Sequence, residues 1–85
     1  MQKSPSTRIG VVTVIIQNRT AAVKTINNIL TDYSDVIIGR LGLPRDNLSI
    51  ITLIVEGNTD QIGAMTGKIG QIDQVSVKTA FAKTS

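Results

Sequence analysis

Eighty-five residues carrying nine Lys and Arg against six Asp and Glu make one small domain with a net charge of +3, and a chain that short buries only about 60–65% of its unfolded surface. With neither Cys nor His, disulfides, Cys/His metal centres and Ser–His or Cys–His nucleophile pairs are excluded, so no metal, no other cofactor and no catalytic residue is expected. The basic residues are scattered from Lys3 to Lys83 rather than gathered in a run, so they read as a solubilising charge and not as a track for a nucleic-acid backbone.

Residues 1–7 are polar, without the apolar segment of a secretory signal. They read as a disordered lead to a single domain over 8–83. No apolar stretch approaches the ~20 residues of a membrane helix, and the expected location is the cytoplasm, away from any membrane. Arg8 to Ile16, rich in β-branched residues and short, predicts a first strand. Asn18 is a candidate cap for a helix whose apolar stripe is Ala22, Val23, Ile26, Ile29 and Leu30. Val36 to Gly42 predicts a second strand, Pro44 to Asn47 a compact turn, and Leu48 to Glu56 a third strand, paired with the second as an antiparallel hairpin. Asn58 or Thr59 can cap a second helix with the stripe Ile62, Met65 and Ile69, and Gly70 reads as its stop. A last strand, Val75 to Ala82, puts Val75, Val77, Thr79 and Phe81 on one face and Ser76, Lys78, Ala80 and Ala82 on the other.

This order predicts an α+β fold, a ferredoxin-like βαββαβ sandwich: a four-stranded antiparallel sheet with two helices on one face and strands one and three in the centre. Both central strands are apolar on both sides. Strand one offers Ile9, Val11 and Ile15 against Val12, Val14 and Ile16, and strand three offers Ile51, Leu53 and Val55 against Leu48, Ile50 and Ile54. The face away from the helices is thus expected to carry an apolar patch, assigned to Val12, Val14, Ile50 and Ile54, through which the chain self-associates as a homodimer or homotetramer.

The fold alone decides no function. RNA recognition on this topology needs stacking rings on the central strands, and Ser49 to Val55 contains none. Gly63 to Lys68 lacks the glycine spacing of a P-loop and lies within a predicted helix; Gly63 and Gly67 instead read as small residues permitting close packing against the sheet or another chain. Asn18-Arg19-Thr20 and Asn58-Thr59-Asp60 stand at the two predicted helix starts, where free N–H groups can hold an anion, although capping accounts for Asn18, Asn58 and Thr59 without a ligand. Arg40 stands in a strand beside Gly39 and close to Gly42. It is either a charge protecting an edge strand or part of a ligand site that needs close backbone approach. The candidate ligand-binding set is therefore Asn18, Arg19, Gly39, Arg40, Gly42, Asn58 and Thr59. A small enzyme of the acylphosphatase type, using Arg19 with Asn18, is the alternative from another class, and a ligand-free assembly subunit is a third.

Ile9-Gly10-Val11-Val12, Ile38-Gly39-Arg40-Leu41-Gly42-Leu43-Pro44, Ile50 to Val55, and Gly63 to Ile72 followed by Val75 to Lys78 resemble a family of small stand-alone proteins, the iron-only hydrogenase system regulators. The resemblance spans nearly the whole chain. It implies an ACT-like, ferredoxin-type fold, related to the effector-binding half of a nickel-responsive repressor, and a regulatory oligomer that takes a small-molecule effector. Nickel sensing does not carry over, since its His and Cys ligands are missing here, and neither does direct nucleic-acid binding. Asp73-Gln74 departs from the family where a turn glycine is expected.

Overall fold

The structure is a computed structural model that describes residues 7–17 and 21–83. Strand β1 (Thr7–Gln17) is followed by helix α1 (Ala21–Asp32), a single 3-10 turn at Ser34–Val36, and the hairpin β2 (Ile37–Pro44) and β3 (Leu48–Asn58). Helix α2 (Thr59–Gly70) and strand β4 (Val75–Phe81) complete the chain. All strand pairings are antiparallel, in the order β2-β3-β1-β4, so β1 and β3 are central as the topology requires.

Both helices lie against one side of the sheet. Ile26 and Leu30 of α1, and Ile62, Met65 and Ile69 of α2, recur at the helical repeat and meet Val12, Val14, Ile16, Ile51, Leu53 and Val55 in one cluster. No polar or charged residue is buried among the described residues, so no buried polar side chain among them needs a compensating partner. Fully burying an aliphatic side chain is worth about 1.5–3 kcal/mol, and the cluster has twelve members.

The interior position of Val12 and Val14, both with 0% of their surface exposed, corrects their assignment to the open face. Side chains alternate along a strand, and the ladder puts Val12 opposite Leu53 and Val14 opposite Ile51, on the helix side. Ile50 and Ile54 do lie on the other side, opposite Ile15 and Val11.

Further details depart from expectation: Thr7, read as part of a disordered lead, opens β1, and Pro44, read as part of the turn, closes β2, while residues 1–6 of that lead lie outside the described residues. Val36 belongs to the 3-10 turn and is buried, so β2 starts one residue later than the sequence suggests. Helix α2 does end at Gly70, but its C-cap, Gln71, keeps right-handed helical dihedrals. The left-handed residue is Gln74, with φ 65°, in the loop that lacks the expected glycine. The Gln74 carbonyl accepts a hydrogen bond from the Gln17 N–H at 2.9 Å, which ties that loop to the end of β1.

Candidate functional site

The uncovered face of the sheet is organised in rows that run across the strands. Leu43, Ile50, Ile15 and Ser76 form one row; Leu41, Thr52, Thr13 and Lys78 the next; Gly39, Ile54, Val11 and Ala80 a third. Ile9 extends the surface opposite Glu56. A bulge between Ile37 and Gly39 sets Ile38 outside the ladder. Leu41 is 66% exposed, Ile38 58% and Leu43 48%. Branched aliphatic side chains thus face outward from β2, β3 and β1, interrupted in the middle by two threonines.

A groove lies at one margin of the sheet, between α1 and the edge strand β2. Arg40, Gly42 and Pro44 share the helix-facing side of β2, opposite Leu53, Ile51 and Ser49. An Nη of Arg40 donates to Asn27 Oδ1 on α1 at 2.7 Å, which aims the guanidinium along the groove. One depression of about 290 Å³ is lined by Val23, Asn27, Arg40, Gly42 and Pro44 among others. A second, of about 260 Å³, lies on the other side of Arg40 against Leu30, Thr31, Ser34 and Ile37. A Cβ built on Gly42 would meet nothing within 4 Å; the missing side chain is what leaves the floor of the first depression open.

Of the sequence-predicted set, the structure therefore brings Arg40 and Gly42 together. Gly39 lies on the opposite side of β2, in contact range of Ile54. Asn58 and Thr59 are remote: Asn58 is five residues along β3 from Leu53, the partner of Arg40, or about 16 Å at the rise of a strand. Asn58 is moreover engaged in a capping box, its Oδ1 accepting from the Gln61 N–H at 2.7 Å and its own N–H donating to Gln61 Oε1 at 3.2 Å. Asn18 and Arg19 lie outside the described residues. Asn27, Val23 and Pro44 escaped sequence reasoning because a helix and a strand meet there only in the folded chain; a polar Asn27 between Val23 and Leu30 was the available signal.

Elsewhere, Lys68 Nζ stands 5.1 Å above the Tyr33 ring, joining the end of α1 to α2, and the side-chain hydrogen bond with Tyr33 holds its pKa above the ordinary lysine value. Arg8 stacks over Phe81 at 4.6 Å. The described residues contain no group of three or more acidic side chains that could hold a metal ion. No helix among them is long and apolar enough to cross a membrane.

Four antiparallel strands in the order β2-β3-β1-β4, with two helices on one side, define an ACT-like, ferredoxin-like domain. The ACT domain of GTP pyrophosphokinase from Chlorobium tepidum superposes with a TM-score of 0.76 at 13% identity, covering 87% of this chain and 99% of that one. The C-terminal domain of MgtC from Mycobacterium tuberculosis gives 0.71 at 11% identity, covering 95% and 94%. At those identities the likeness is one of fold. The chain belongs to the TM1266-like family, described as iron-only hydrogenase system regulators, whose model matches residues 8–79. TM1266 from Thermotoga maritima is 37% identical, with a TM-score of 0.87 over 91% of this chain and 99% of that one. No curated protein matches the sequence.

Proposed function

We propose that the protein is a regulatory module of an iron-only hydrogenase system that works by binding rather than by catalysis. Copies associate through the open face of the sheet, and a small-molecule effector occupies the groove beside Arg40. The observation that carries the reading is the run of exposed Leu41, Leu43, Ile54, Val11 and Ile9 across three adjacent strands. Four strands about 4.8 Å apart, over nine residues of about 3.4 Å rise, present roughly 600 Å² of face. That lies at the low end of the roughly 600–1,000 Å² per partner that specific interfaces bury. Lys78 does not oppose such packing, because it stands on the outer strand β4, from which a long side chain can carry its ammonium to the rim.

The side chains at hand support binding without chemistry. Arg40 is the ionisable group among the described residues that line the two depressions. A guanidinium offers a fork of N–H donors and no acceptor, so it is suited to holding an anion. The family name supplies the tie to hydrogenase.

Sedimentation velocity of the 9.1 kDa chain at micromolar concentration tests the assembly. The expected mass is that of a dimer or tetramer, reduced to the monomer in Val11→Lys and Ile54→Lys, which keep their circular dichroism. A monomeric wild type would sink the reading. Deleting the gene in its host tests the regulatory tie: hydrogenase transcript and activity should change, and unchanged levels would count against it.

A further inference from the structure

We infer that the groove between α1 and β2 binds a short-chain organic carboxylate that carries no cationic group, with Arg40 taking the carboxylate and the space over Gly42 taking the aliphatic part. The inference rests on the effector-binding reading above and adds the chemical class. Three observations converge on it. Arg40 spends one donor on Asn27 Oδ1; a guanidinium has five N–H donors in a planar fork, so a bidentate pair remains for a carboxylate. Neutral Asn27 fixes the direction of the guanidinium while leaving its charge uncompensated, whereas an acidic partner would have occupied the anion site.

The surroundings of the fork set the rest of the ligand. Val23, Pro44 and Ile51 contribute to the lining of the depression of about 290 Å³ next to Arg40, which is at the small end of the range for ligand pockets. That lining suits a chain of a few carbons and is short of polar groups for a sugar or nucleotide. It contains neither Asp nor Glu. The ammonium of an amino acid would therefore find no counter-charge and would stand close to the like-charged Arg40, so an acid lacking that group is the better fit. Inorganic phosphate would satisfy Arg40 but leave the apolar lining unused.

Gly42 gives the inference a clean test. Nothing lies within 4 Å of a Cβ built there, and β-branched residues are favoured in strands, so Gly42→Val fills the groove without straining the fold. The ¹⁵N-labelled full chain is titrated with isovalerate, with leucine and with inorganic phosphate, and the amide shifts are followed by NMR. Isovalerate is expected to move the signals of Asn27, Arg40, Gly42, Leu43 and Ser49 saturably. Leucine and phosphate should bind at least tenfold more weakly. Arg40→Gln and Gly42→Val should each lower isovalerate affinity tenfold or more, while keeping the wild-type melting temperature or exceeding it. Shifts that stay linear to 20 mM, that map elsewhere, or that persist in Gly42→Val would overturn the inference; so would equal affinity for leucine or phosphate. The sedimentation mass of the same samples separates the two proposals. An intact oligomer without isovalerate binding sinks this inference alone, and a monomer that binds isovalerate sinks the assembly reading alone.

Discussion

Gly57, near the end of β3, sits where the 3-10 turn folds back on the sheet. A Cβ there would lie 2.6 Å from Val36 Cγ1 and 3.2 Å from Gln61 Oε1, the acceptor of the capping box. Val36 is buried and stiff at χ1, so it has little room to yield. Gly57→Ala should therefore cost about 1–3 kcal/mol, the usual range for overpacking, and a urea melt reads it directly; an unchanged midpoint would mean that the turn moves freely on β3. The neighbouring Asn58 shows the opposite economy. Its side chain and backbone both find partners within the first turn of α2, so one residue supplies the local start of the helix without any tertiary help.

The elements themselves were largely legible. A β-branched run such as Val11 to Ile16 is too short to be a helix, and the Ile62, Met65, Ile69 spacing has no strand interpretation. Less legible was the use of glycine in α2. Gly63 and Gly67 were expected to permit close packing, on the sheet or on another chain, yet both are exposed and a Cβ at either would meet nothing within 4 Å. Packing on this domain's own sheet is thereby ruled out as their reason, because the buried stripe of α2 runs through Ile62, Met65 and Ile69 instead. Each interior helical glycine costs about 1 kcal/mol relative to Ala. Gly63→Ala and Gly67→Ala should thus each stabilise the isolated domain by about that amount, raising the melting temperature by roughly 4–8 °C. Scanning calorimetry would show it, and a fall in either case would reveal a contact that needs the glycine.

At the scale of the molecule, the alternation of β1 was readable but its direction was mistaken. Both sides of the strand carry Val and Ile, so hydrophobicity alone does not say which side meets the helices. Thr13 held the missing information: it shares a side with Val11 and Ile15, just as Thr52 shares one with Ile50 and Ile54, and the two threonines are paired. The sides bearing polar residues face outward together. Substitution should separate the two sides sharply. Val14→Lys places an unpaired ammonium in a core that buries no polar residue among those described and should unfold the domain, whereas Val11→Lys should leave a folded chain that no longer associates; a folded Val14→Lys would reverse the assignment. The groove was half legible: Arg40 among glycines drew notice in the strand, but its helical partner Asn27 is fixed only by the packing of α1 over β2.

The position of β1 between β3 and β4 bears on how the chain reaches this state. The hairpin of β2 and β3 closes through a short turn, with Arg45 N–H donating to the Leu48 carbonyl at 2.7 Å, and such local closures take about 1–10 μs. Strand β1 is synthesised first but has no neighbour in sequence to pair with. Thr13 must wait for Thr52 on one side and for Lys78, near the end of the chain, on the other. The entropy of closing the loop between β1 and β3 is spent before the longest ladder returns anything. Completion of the sheet around β1 is thus the expected slow step of folding, and until β4 arrives an 11-residue strand, apolar on both sides, is left with an open edge.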